Sequence, residues 1–84
     1  MTRSVFLVSY DVLTKCLVQA RTEAELTQWD LANALARPQS FVSKVENGER
    51  RIDLIEFLQI TAALNVEPEP IIQAILASLA DGKG

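Results

Sequence analysis

The chain contains no histidine and a single cysteine, Cys16. A lone thiol makes no internal disulfide. With no histidine or second thiol beside it, it offers neither a zinc-ligand set nor a thiol–imidazole pair for catalysis. Cys16 therefore reads as a small core hydrophobe. No apolar run approaches the ~18 residues that cross a bilayer. The short run Val5-Phe6-Leu7-Val8 is not followed by a small-residue cleavage pattern, so it does not read as a signal peptide. A cytoplasmic protein without membrane contact is expected. Gly-rich phosphate loops and HExxH-like metal motifs are also absent, so neither an enzyme nor a bound cofactor is expected. Positive charge is scarce as well: 8 Lys and Arg stand against 11 Asp and Glu, a net charge of −3. That balance counts against nucleic acid as a partner, because basic proteins are the default there.

What is present makes one small globular domain. The 84 residues leave little room for a second unit. With 49% hydrophobic and 23% charged residues, the chain is too apolar for a disordered tail. Only 3 Gly and 3 Pro interrupt it, and Ala, Leu, Gln and Glu are frequent, which favours helix over sheet. The charges are also unevenly placed. Between Arg37 and Arg51, the cations Arg37, Lys44, Arg50 and Arg51 face only Glu46 and Glu49, leaving that segment at +2 and the remainder at −5. One reading is a basic face aimed at a polyanion. The other is ordinary charge on a solvated surface.

The hydrophobic spacing predicts five short helices. Residues 1–9 are ambiguous: Val5 to Val8 suit either a strand or an extra helical turn, and Ser4 and Ser9 are both candidate N-caps. From Tyr10, the residues Val12, Leu13, Cys16, Leu17 and Ala20 recur at spacings of three and four. This helix is expected to end near Glu23 to Glu25. Thr27 with Asp30 resembles a capping box and opens a second helix carrying Leu31, Ala34 and Leu35. Pro38 disfavours helical geometry at Arg37 and suits the first turn of a third helix. That helix carries Phe41, Val42 and Val45 and stops at Asn47-Gly48. Asp53 with Glu56 opens a fourth helix that closes at Asn65, and Pro68 and Pro70 introduce a fifth through Leu79. Residues 10–80 are thus read as one compact all-α domain. Residues 81–84 form a polar tail expected to fray.

The second and third helices, from about Thr27 to Glu46, have the dimensions of a helix-turn-helix. Any short helical hairpin shares those dimensions, so the residue types matter more. Gln39, Ser40, Ser43 and Lys44 lie on the face of the third helix away from Val42 and Val45. Glutamine can bond adenine through N6 and N7, lysine can reach guanine, and serine is a small adaptable partner. Recognition helices present such residues at their N-terminal end.

The runs Thr27-Gln28-Trp29-Asp30-Leu31-Ala32 and Pro38-Gln39-Ser40-Phe41-Val42-Ser43-Lys44-Val45-Glu46-Asn47-Gly48 resemble the XRE family, the Cro and phage-repressor type of helix-turn-helix regulator. The similarity spans about Leu17 to Val66. It implies a five-helix, lambda-repressor-like DNA-binding domain acting as a transcriptional regulator, a repressor that binds a palindromic operator as a dimer. By this resemblance Gln39, Ser40, Lys44 and Ser43 touch bases, while Gln28, Asn47, Arg50 and Arg51 touch phosphates. Arg21 and Glu46 match a pair that, in relatives, ties the first helix to the recognition helix. Ala32 matches the small residue where the two motif helices cross. Phe41 either covers the edge of the core or touches a thymine methyl, and Trp29 is expected exposed or half-packed near the DNA backbone.

The chain departs from the family at Glu25, Ala36 and Asn65, where relatives commonly carry glycine. Either the first helix runs further, or the turn at Ala36 is strained. Ile71, Ile72, Ile75, Leu76 and Leu79 form a stripe wider than a small core needs, and Ile55 stands where relatives are usually polar. A homodimer through the fifth helix on double-stranded DNA is expected, with Val5 to Val8 as further apolar surface. The rival is that these residues only finish the core. The acidic body and apolar termini also suit a protein partner, as in family members that act as antitoxins.

Overall fold

The computed structural model describes residues 5–81, with side chains from Val8 to Ala80. The candidate cap Ser4 and residues 82–84 of the expected tail 81–84 lie outside the described residues, while Asp81 of that tail is the last residue of the fifth helix. Five helices form: α1 (Val5–Glu23), α2 (Gln28–Leu35), α3 (Gln39–Glu46), α4 (Leu54–Leu64) and α5 (Pro68–Asp81). No strand occurs among the described residues, and no helix there is long and apolar enough to cross a membrane.

The start of α1 differs from a beginning at Tyr10. Val5 to Ser9 take the helical alternative and extend α1 by more than a turn. The packing partner explains the extension. Ser9 is buried, and the Ser78 hydroxyl donates to its Oγ at 2.8 Å, so the first turns of α1 lie along the end of α5. Leu17 of α1 and Ile71 of α5 both enter the core.

Side-chain caps set the starts of α2 and α4. Thr27 Oγ1 accepts from the Asp30 N–H at 3.0 Å, and Asp30 Oδ2 accepts from the Thr27 N–H at 2.8 Å. The Thr27 bonds hold the Asp30 carboxyl below the ordinary carboxylate range. Asp53 and Glu56 repeat the reciprocal arrangement at α4, at 2.7 and 3.1 Å. Each box satisfies two backbone donors that a helix start otherwise leaves open.

The ends of α1 to α4 share one closure. A left-handed residue turns the chain, and two backbone N–H groups reach back to the carbonyls of the last turn. At α1 the Glu25 N–H donates to Thr22 O and the Leu26 N–H to Arg21 O. Ala36 and Arg37 close α2 in the same way, Asn65 and Val66 close α4, and Gly48 and Glu49 close α3. The left-handed residues are Glu25 (φ 60°), Ala36 (φ 55°), Asn65 (φ 58°) and Gly48 (φ 78°). α1 therefore does not run past Glu23; Glu25 accepts the unfavourable conformation instead. A non-glycine side chain there costs roughly 1 kcal/mol. The closing hydrogen bonds and the packing of Leu26 and Val66 against the core offset it.

The core lies where α1, α2, α3 and α4 converge, with Leu31, Val42, Val45, Ile60 and Leu64 buried. Ala32 is 1% exposed, so a larger side chain there would push α2 off its neighbours. Phe41 is buried at the core edge, which settles its role in favour of packing. The Arg37 and Arg50 guanidiniums lie 4.3 and 4.8 Å from its ring centroid. Both donate to the buried Glu56 carboxylate at 3.0 Å. The Arg50 bonds, reinforced by the Asp53 N–H, hold the Glu56 carboxyl below its ordinary range.

The left-handed turn at Ala36 yields a direct test. Ala36→Gly should stabilise the fold by ~0.5–1 kcal/mol, read as a higher urea midpoint at unchanged slope. A lower midpoint would contradict the left-handed geometry at this turn.

Candidate nucleic-acid interface

Ala32 of α2 is buried in the core, and α3 turns one side to the core and the other to solvent. Val42 and Val45 face inward. Ser40, Lys44 and Asn47 are exposed, and Gln39 and Ser43 are half-buried. This follows from the 3.6-residue period, which puts 42 and 45 on one side and 40, 44 and 47 on the other. Pro38 opens α3 without a side-chain cap, and no acidic residue stands in the first turn. The positive end of the helix is therefore not neutralised locally.

A chain of polar contacts holds this face in place. The Arg21 Nε donates to Glu46 Oε2 at 2.7 Å and its Nη2 to Oε1 at 3.0 Å, a fork on one carboxylate. The remaining Nη1 donates to the Leu26 carbonyl at 2.8 Å. Only 13% and 8% of these two side chains reach solvent. Gln28 Nε2 donates to Glu46 Oε1 at 2.9 Å, and Gln39 Nε2 donates to Gln28 Oε1 at 2.7 Å. The series runs from α1 through the end of α3 and the start of α2 to the start of α3. It fixes the Gln39 amide. One N–H is committed to Gln28, which leaves one N–H and the side-chain carbonyl. That remaining pair matches the N7 and N6 edge of adenine.

The residues expected at phosphates divide into two groups. Gln28 sits in the polar chain just described. Asn47 is exposed at the end of α3, with Nδ2 a long 3.5 Å from Glu49. Arg51 is exposed, and its guanidinium lies 5.0 Å above the Tyr10 ring. The same loop is pinned by the Tyr10 hydroxyl, which accepts from the Ile52 N–H at 2.6 Å. Arg50 is different: its fork is engaged with Glu56 and its plane stacks on Phe41, so it is not a free clamp. Trp29, next to Gln28, is 65% exposed.

The structure also redistributes the apolar stripe. Ile71 is a core residue at 8% exposure, so it leaves the expected pairing surface. Ile75 and Leu79 are half-buried. Ile72 and Leu76 remain exposed, and Leu54, Ile55 and Leu58 of α4 are exposed with them. Ile72, Ile75 and Leu54 line a shared apolar groove with Leu13, Ile52 and Phe57.

Sequence reasoning missed the Arg37–Phe41–Arg50–Glu56 cluster. From the sequence, Arg37 reads as a cation of the basic segment and the residue before Pro38, and Glu56 as a helix cap. No local spacing signals the contact, because Arg37 and Glu56 stand 19 positions apart. Among the described residues, no group of three or more His, Cys, Asp or Glu comes together as metal ligands.

Comparison with known proteins agrees with this geometry. The Helix-turn-helix family model matches residues 17–71. An XRE-family like protein from Pseudomonas syringae pv. tomato str. DC3000 is 41% identical, with a TM-score of 0.82 over 87% of this chain and 89% of that one. The restriction-modification controller protein C.Esp1396I shares the fold at 18% identity, with a TM-score of 0.74 over 86% and 95% of the two chains. A second structure of that controller, a tetramer in complex with its natural 35 base-pair operator, matches at a TM-score of 0.73, 18% identity and the same coverage. No curated protein sequence matches significantly. By the extent of the family match and the identity to the Pseudomonas protein, the chain belongs to the XRE-type helix-turn-helix family of DNA-binding regulators.

Proposed function

We propose that the chain is a cytoplasmic transcriptional repressor that binds a two-fold symmetric operator as a homodimer, without catalysis. The observation that carries this reading is the anchored Gln39 amide beside exposed Ser40 and Lys44 at the uncapped start of α3. In the major groove, Gln39, Ser40, Ser43 and Lys44 would face base edges. Gln28, Asn47 and Arg51 would face phosphates, and Trp29 would lie near the backbone. Arg50 would add its charge to the local field rather than a free donor. Bound at a promoter, the dimer would exclude polymerase.

The acidic body shapes the energetics. Phosphate contacts contribute affinity that falls with salt, by a logarithmic slope of about 0.9 per neutralised phosphate. With few free cations on the face, one copy would bind weakly. Two copies on half-sites ~34 Å apart supply the remainder. The pairing surface we assign joins Ile72 and Leu76 of α5 to Leu54, Ile55 and Leu58 of α4, because these large apolar side chains stay exposed after folding. The tetramer of C.Esp1396I on its operator supports association on DNA for this fold. The same apolar face favours a second reading, an antitoxin-like module whose protein partner covers it. A partner captured without any shift of operator DNA would establish that role instead.

Two measurements test the proposal. On a duplex selected from a random pool, Gln39→Ala should lose ~1–3 kcal/mol of discrimination at one base pair. Arg51→Ala should weaken all sequences alike and reduce the salt slope by about 1. If both variants bind the selected duplex as the parent does, α3 is not the reading face. Separately, the chain should sediment as a dimer at tens of micromolar, and Leu76→Glu should convert it to a folded monomer. A monomeric parent would remove the pairing surface.

A further inference from the structure

Glu56 makes more contacts than a helix cap requires. Its carboxylate accepts four hydrogen bonds. Oε1 receives the Asp53 N–H at 3.1 Å and Arg50 Nη1 at 3.0 Å. Oε2 receives Arg50 Nη2 and Arg37 Nη2, each at 3.0 Å. An ionised carboxylate has about four acceptor sites, so this one is saturated. The residue is 8% exposed.

The donors come from both ends of the recognition helix. Arg37 stands in the turn that enters α3, and Arg50 in the loop that leaves it. Their guanidiniums also stack against Phe41 in the first turn of α3. One carboxylate on the first turn of α4 thus brackets α3 at its entry, its exit and its body. A planar fork fixes direction as well as distance, unlike a point charge.

The neighbours of Glu56 on α4 give the bracket its consequence. Leu54 and Ile55 immediately precede it and are 65% and 62% exposed. They belong to the surface on which two copies are proposed to pair. Base-reading face and pairing face are therefore joined through one buried side chain.

We propose that Glu56 is a positioning residue that sets the spacing between the two recognition helices of the DNA-bound dimer. The inference rests on the dimeric reading above. In a two-fold pair, any tilt of α3 against α4 is repeated with opposite sense in the second copy, so errors in half-site spacing double. Base pairs recur every 3.4 Å along the duplex, so a loose bracket blurs the preferred spacing. A single half-site asks nothing of that spacing.

The test uses the full chain and a duplex recovered from a random pool with the unaltered protein. Its companions are the same duplex with the central spacer lengthened or shortened by one base pair, and a duplex carrying one half-site. Glu56→Gln keeps the shape and removes the charge. It should bind the best duplex about tenfold more weakly and discriminate less between spacers, while half-site affinity stays within about threefold. Arg37→Met loosens the bracket without touching the α4 cap and should flatten the spacer preference in the same way; it decides the matter if Glu56→Gln fails to fold. Unchanged spacer discrimination in the folded variants would overturn the inference, as would an equal loss on the half-site and the full duplex. If the unaltered protein itself selects a lone half-site and ignores spacer length, the dimeric reading fails and the role of Glu56 falls with it.

Discussion

The Glu46 carboxylate lies at the junction of α1, α2 and α3, where only 8% of its side chain reaches solvent. Burying a carboxylate is expensive unless it is paired and fully hydrogen-bonded. Here the Arg21 fork and the Gln28 amide supply three hydrogen bonds to it. Removing one partner of such a buried pair typically costs ~3–5 kcal/mol, because the other charge is left uncompensated. The arrangement therefore specifies more than it stabilises. It links α1, α2 and the end of α3 through one carboxylate. Gln39 stands at the far end of the series. The Gln39 amide, proposed above to read bases, is held by Gln28 without DNA, so little of its side-chain entropy would remain to be lost on binding.

A second carboxylate acts at the opposite side of α3. Glu56 draws Arg37 and Arg50 together and lays them on Phe41. Two cations of the basic segment are thereby used in architecture. Their charge still contributes to the field around the motif, but both terminal nitrogens of Arg50 and one of Arg37 are engaged with Glu56. The local +2 of residues 37–51 thus overstates what is free for phosphates, and Lys44 and Arg51 remain as its exposed unbonded cations.

How much of this was legible in the sequence varied with the range of the interaction. Helix starts were readable, because Thr27 with Asp30 and Asp53 with Glu56 act over three residues. Helix stops at Asn47-Gly48 and Asn65 were readable for the same reason. The stop at Glu25 was less so, because a glutamate in left-handed conformation holds only when tertiary packing, here of Leu26, secures it. The first turns of α1 were not legible either, because Ser9 there is bonded to Ser78, far away in the chain. The family was legible through residue types in the run from Gln39 to Gly48. The engagement of Arg50 and the burial of Ile71 were not, because both depend on which side of a helix the finished core claims. An isoleucine at the start of α5 has the same periodicity whether its partner is Leu17 or a second copy.

The account stands on α3 as the docking element. Amide chemical-shift mapping during titration with a selected operator duplex addresses that directly. The largest changes should fall on residues 39–44 and 47 and at Gln28 and Trp29, with α5 affected only where copies pair. Changes confined to α4 and α5, with residues 39–44 unmoved at saturating duplex, would contradict it.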